Sequence, residues 1–168
     1  MSRLAAALGS ALFLVAAPGT AAGLVPWLLT GWDSSDPPIP LVVTGAVLVA
    51  AGAGVLLHAF ARFVLEGRGT PAPVAPPERL VVGGLYRHVR NPMYVAVGAT
   101  IAGQALLLGR PLLLAYAALF WLVVAAFVKL YEEPTLSARY GAEYAAYRRG
   151  VPAWLPRLRP WSPEPPRS

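Results

Sequence analysis

The sequence contains no cysteine and only two histidines, His58 and His88. Disulfides, thiolate metal sites and cysteine nucleophiles are therefore excluded. A zinc or haem site would have to be assembled mostly from carboxylates, and none is expected. Charge is scarce as well: 13% of the residues are charged, against roughly 25% in a soluble domain. What is abundant is hydrocarbon, with 57% hydrophobic residues in a chain of 168. That length suits one domain, and small domains keep much of their surface exposed. The apolar excess cannot be hidden in so small a core, and a lipid environment resolves the conflict.

A membrane-spanning helix needs about 20 mostly apolar residues. Four segments answer to this. The first runs from about Leu4 to Leu29 and is interrupted by Pro18 and Pro26. The second runs from Leu41 to about Leu65, with His58 and Arg62 near its end. The third covers Pro92 to Leu108 and the fourth Pro111 to Tyr131, with only Gly109-Arg110 between them, so they form an antiparallel hairpin. A secretory leader is the competing reading of the first segment, since Arg3, an apolar run and Gly19-Thr20-Ala21-Ala22-Gly23 have that pattern. The expected fold class is all-α: a multi-pass membrane bundle of about four transmembrane helices, followed by an amphipathic interfacial helix.

The net charge of +6 is distributed unevenly. The loop between the first two segments holds Asp33 and Asp36 and no basic residue, and the hairpin turn holds only Arg110. Every other Lys and Arg lies at the opposite ends of the helices. Basic residues mark the cytoplasmic side, so both termini and the central loop are expected there, with a secondary attraction to anionic lipid heads. No nucleic-acid partner is expected, nor any obligate protein partner.

Two segments do not span. Glu66 to Arg90 is a proline-rich connector, with Pro71, Pro73, Pro76 and Pro77, where a continuous helix cannot form. After Glu133, Pro134 suits a first helical turn, and Leu136, Tyr140, Tyr144 and Tyr147 recur at helical spacing up to a stop at Gly150. This reads as an amphipathic helix at the interface. The tail beyond it carries Trp154 and Trp161, suited to anchoring at head-group level. The chain divides into 1–65 (two N-terminal transmembrane helices), 66–156 (connector, hairpin and amphipathic helix) and 157–168 (proline-rich tail).

Chemistry concentrates in two places. The first is Gly84-Leu85-Tyr86-Arg87-His88-Val89-Arg90-Asn91-Pro92-Met93-Tyr94, where the connector enters the third helix. A helix start offers free N–H groups to an anion, Arg90 can hold a carboxylate with two bonds, and Tyr86 and Tyr94 offer faces to an adenine or a sulfonium. The competing reading is a basic flank followed by a helix start. The second is Glu132-Glu133, two acids opposing the macrodipole at a helix C-terminus; they either hold an ammonium group or ribose hydroxyls, or are solvated acids beside arginines. Gly98 with Ala102, or Ala99 with Gly103, provides a small-residue face for helix packing. Gln104, at membrane depth, needs a hydrogen-bond partner. His58 and Arg62, one turn apart, are expected to snorkel to the interface.

The ordered set Gly84-x-Tyr86, Arg90-Asn91-Pro92-x-Tyr94, a short hydrophobic hairpin, Glu132-Glu133-x-x-Leu136, Tyr140-Gly141-x-x-Tyr144-x-x-Tyr147 and Val151-Pro152 resembles the isoprenylcysteine carboxyl methyltransferase family. Phospholipid N-methyltransferases share the pattern. The resemblance covers about Leu80 to Pro156 and implies an integral membrane methyltransferase that uses S-adenosylmethionine on a lipophilic acceptor: a carboxylate, amine or hydroxyl of a lipid-like molecule. By motif position it implies cofactor contacts at Leu80, Val81, Tyr86, Asn91, Pro92, Met93, Tyr94, Glu132 and Glu133, with Arg90, Tyr94 and Lys129 at the reacting groups.

Two positions depart from the family. Asn91 stands where a histidine is usual, and an amide hydrogen-bonds but cannot titrate. Lys129 is the basic residue nearest to the place where prenylcysteine enzymes carry an arginine, about one position off. A sterol-reductase-like oxidoreductase using NADPH, and a non-catalytic membrane protein on the same scaffold, are the alternatives.

Overall fold

The computed structural model describes residues 3–62, 65 and 79–162. Residues 66–78 of the connector expected over Glu66 to Arg90, and the last residues of the tail, 163–168, lie outside the described residues. All regular structure within them is helical, as an all-α membrane bundle requires.

The first apolar segment is one continuous rod in three parts: α1 (Arg3–Leu14), a π-helical stretch (Val15–Leu24) and α2 (Val25–Thr30), with helical backbone angles at both junctions. The two prolines widen this helix and do not end it. The N–H of Val25 bonds back five residues to Thr20. Pro26 has no N–H to give, so the carbonyls of Ala21 and Ala22, five and four residues back, lose their helical partner. Side chains from elsewhere replace it. The Tyr116 hydroxyl donates to Ala21 at 2.8 Å and Gln104 Nε2 donates to Ala22 at 2.6 Å. Gln104 Oε1 in turn accepts from the Trp32 indole at 3.1 Å. The partner that Gln104 required at membrane depth is thus the opened backbone of the first helix.

α3 (Ile39–Arg62) has 24 residues and α4 (Pro92–Leu108) has 17. Gly109 closes α4 in the left-handed conformation, and α5 (Pro111–Phe127) returns antiparallel. The expected break after Tyr131 is absent. α5 runs through a π turn (Val128–Glu132) directly into α6 (Glu133–Gly150), so the helix is continuous from Pro111 up to a kink at Gly141. The cause is again a proline: Pro134 cannot donate, and the Glu133 N–H reaches five residues back to Val128. α6 is then broken at Gly141, whose φ of 50° and ψ of −122° only glycine adopts readily.

Among the described residues three helical stretches are long and apolar enough to cross a bilayer: Ala11–Thr30, Ile39–Arg62 and Pro111 onward. α4, about 25 Å long by its rise per residue, is shorter than these. It lies inside the bundle, with Ala96, Val97, Ile101 and Ala105 buried. Large apolar side chains such as Leu12, Val15, Leu122 and Leu130, all more than 70% exposed, form the outer surface, as expected of a lipid-facing belt.

Close approach of α3 to α4 is made by glycine. A methyl group at Gly45 would sit 2.5 Å from the Gly103 carbonyl oxygen, and one at Gly52 would strike Thr100 and the Ala96 carbonyl. The small residues of α4 do not act as a single face. Gly103 meets α3, whereas Gly98 sits under the Trp121 indole of α5, 2.7 Å from where its Cβ would be. Gly45→Leu overfills this seam and is expected to cost about 1–3 kcal/mol, read as a lower thermal midpoint in detergent. Gly54, with nothing within 4 Å of its Cβ position, is the control: Gly54→Ala leaves the midpoint unchanged or raises it slightly.

Candidate active site

The N-terminus of α4 and the C-terminal end of α5 meet at the basic end of the bundle. The Tyr94 hydroxyl donates to Glu132 Oε2 at 3.1 Å. Beside this pair opens a cleft of about 250 Å³. Its polar lining is Arg90, Asn91, Tyr94 and Glu132. Its apolar lining comes from Tyr86, Pro92, Met93, Val97, Phe120 and, across the cleft, Phe13, Ala17, Pro18 and Ala21 of the first helix. Asn91 precedes α4 without capping it, since its side chain donates instead to the Ala153 carbonyl at 3.2 Å. Pro92 has no N–H, so Met93 and Tyr94 present the free first-turn N–H groups.

The floor is held by a clasp around Arg90. Its Nη1 donates to Glu133 Oε1 at 2.6 Å and to the Tyr144 hydroxyl at 3.1 Å, and its Nε donates to the Val151 carbonyl at 3.0 Å. The side chains of Arg90 and Glu133 are only 11% and 13% exposed, and Arg148 pairs with the other Glu133 oxygen at 3.2 Å. The main chain extends the clasp. The N–H groups of Arg90, Arg157 and Trp161 donate to Pro152, His88 and Arg87 respectively, each at 2.9 Å. Arg87 Nε returns a bond to the Trp161 carbonyl at 2.6 Å. The tail from 151 to 162 is therefore laced along 87–91. Trp154 packs edge-on against Trp121 at 5.2 Å and Trp161 against Tyr147 at 5.5 Å. Both indoles, expected to anchor the tail at head-group level, pack on protein rings.

Of the residues singled out from sequence, Tyr86, Arg90, Asn91, Pro92, Met93, Tyr94 and Glu132 line one cleft. The others do not. The carboxylate that Arg90 holds is the protein's own Glu133, so its fork is committed to structure. Glu133 is turned into the clasp and is absent from the cleft lining. Lys129 is exposed on the π turn and does not reach the cleft; one position on a helix rotates a side chain by about 100°. Leu80 lines a separate groove with Glu143, Arg149 and Trp161. Val81 is buried among Tyr86, Tyr144 and Tyr147. His58 and Arg62, expected to snorkel, lie against Gly84, with His58 Nε2 and Arg62 Nε each 2.7 Å from its Cβ position.

Sequence reasoning missed the wall supplied by the first helix. The signal was there in Pro18 and Pro26, which mark a widened helix as readily as a broken one.

Residues 41–143, more than half of the chain, match the family described as phospholipid methyltransferase. The chain belongs to that family. The match opens in α3, contains both the Arg90–Tyr94 segment and the acidic pair, and closes in α6. The family is one of membrane methyltransferases, related to the isoprenylcysteine carboxyl methyltransferases. No curated protein and no solved structure matches the chain.

In this family member the Arg90–Glu133 pair is mostly buried, and removing one partner strands the other. Arg90→Met and Glu133→Leu are each expected to cost about 3–5 kcal/mol, and the double variant less than the sum of the two. Chemical denaturation in detergent, run as a double-mutant cycle, measures the coupling.

Proposed function

We propose that this membrane methyltransferase takes its methyl group from S-adenosylmethionine in the cleft beside Tyr94 and Glu132 and passes it to a lipophilic acceptor. The observation that carries the reading is the Tyr94–Glu132 pair: a carboxylate oriented by a tyrosine at the edge of an otherwise apolar cleft. The residues present fit the donor. Glu132 would hold its cationic groups, the first-turn N–H groups of Met93 and Tyr94 would hold its carboxylate, and Tyr86 would offer its ring to the adenine.

Bound there, S-adenosylmethionine supplies an electrophilic methyl carbon that needs no further activation. The task of the chain is alignment and exclusion of water. Tyr94 fixes the rotamer of Glu132 by donating to it. The Arg90 clasp holds the start of α6, and so Glu132, against the start of α4. Val97, Phe120 and the first-helix wall keep the reacting end dry. Glu132 is the one carboxylate among the described residues lining the cleft. An acceptor carboxylate needs no base, whereas an amine or hydroxyl gives up a proton, which Glu132 can receive. The site lies on the cytoplasmic side in this reading, where the charge distribution puts the basic ends. The polar donor enters from water and the apolar acceptor from the bilayer.

Calorimetry in detergent tests the site. Glu132→Gln is expected to weaken S-adenosylmethionine binding at least tenfold, about 1.4 kcal/mol, and Tyr94→Phe to weaken it less. Unchanged affinity in both variants would remove the pair from the donor site. Incubating membranes that contain the protein with methyl-labelled S-adenosylmethionine is expected to yield a labelled lipid-soluble product.

A further inference from the structure

We infer that the first helix selects the acceptor: Phe13, Ala17 and Ala21 form a hydrocarbon wall that limits the breadth of the chain lying next to the group being methylated. The inference rests on the proposed methyl transfer and concerns the same cleft.

Four observations lead there. The polar groups of the cleft, Arg90, Asn91, Tyr94 and Glu132, belong to the entry and first turn of α4 and to the π turn after α5, whereas the wall facing them is hydrocarbon from the first helix. That wall lies outside residues 41–143, the segment shared with the family. The polar groups of the cleft thus lie inside the segment that matches the family, and the apolar wall facing them lies before it.

The mouth is lateral. Ala17 lines the cleft yet is exposed, so the cleft opens at the side of the first helix. A chain entering from the hydrocarbon layer would pass Ala17 and Ala21, which are methyl-sized, between Phe13 and Phe120.

The wall is held in register. Tyr116 and Gln104 bond the Ala21 and Ala22 carbonyls, and Phe13 stacks on Phe60 of α3 at 6.2 Å between ring centres. Its position relative to Glu132 is therefore fixed closely enough to measure the width of what passes.

The test uses full-length protein in detergent, methyl-labelled S-adenosylmethionine and a lipid extract of the host membranes, with the labelled products identified by mass. Ala17→Phe and Ala21→Phe are expected to raise the apparent KM for the extract at least tenfold while the S-adenosylmethionine Kd stays within twofold of wild type. Phe13→Ala is expected to broaden the products toward branched or bulkier chains. If the phenylalanine variants fail to fold, Phe13→Ala alone decides. Normal donor binding with an unchanged KM and product pattern in the folded variants would overturn the selecting role of the wall. A wild-type protein that binds no donor would instead overturn the reading of the site itself.

Discussion

A proline inside a lipid-embedded helix takes away an N–H and leaves carbonyls facing a medium without water. An unsatisfied backbone group costs several kcal/mol there, so something must replace the lost donor. Pro26 is treated this way, and a second proline, Pro134, also follows a π-helical stretch. Ahead of Pro26 the first helix widens into a π stretch, and Gln104 and Tyr116 reach in to bond the freed carbonyls of Ala22 and Ala21. Ahead of Pro134 the fifth helix widens into a π turn, and the Glu133 N–H reaches back to Val128. The first adjustment sets the wall of the cleft. The second sets the rotation at which Glu132 meets Tyr94 while Glu133 meets Arg90. Two adjacent acids serve different partners because neighbours on a helix point about 100° apart.

The clasp around Arg90 joins parts of the chain that are far apart in sequence. One guanidinium bonds Glu133, Tyr144 and Val151, and the adjoining main chain bonds Pro152. A buried charge of this kind is a weak source of net stability. Its effect here is geometric: the entry to α4, the start of α6 and the tail have one mutual arrangement in which every donor of Arg90 so engaged is satisfied. Gly141 makes that arrangement reachable. Leu136 and Tyr140 before the break, and Tyr144 and Tyr147 after it, all pack on the same apolar cluster with Tyr86 and Val151.

Much of this was legible in the sequence. The apolar segments, the hairpin at Gly109-Arg110 and the stop at Gly150 follow from hydropathy and from glycine and proline chemistry, which act locally. The meeting of the Arg90–Tyr94 segment with the acidic pair was expected from the order of the motifs. The rest depends on neighbours that a sequence does not display. Gly45 and Gly52, seven residues apart in an apolar run, gave no sign that α3 approaches the backbone of α4, because small residues in a membrane helix can as well face lipid. Whether Arg90 binds a ligand or Glu133 depends on side-chain reach across 43 positions. Lys129 was placed beside the site by position in a motif, and the helical rotation carries it away. Pro18 and Pro26 mark an interruption, but only the presence of Gln104 and Tyr116 opposite makes widening cheaper than a break.

The lacing of residues 151–162 onto 87–91 bears on how the protein is made. Synthesis proceeds from the N-terminus, and the first three helices and the hairpin can enter the membrane while the tail is still untranslated. The floor beneath Tyr94 and Glu132 cannot close at that stage, because Arg90 lacks its acceptors at Val151 and Pro152 and residues 87 and 88 lack theirs further on. A nascent chain stalled before residue 150 would be inserted yet carry an unfinished site, so membrane insertion and acquisition of function are separate events in the life of this polypeptide.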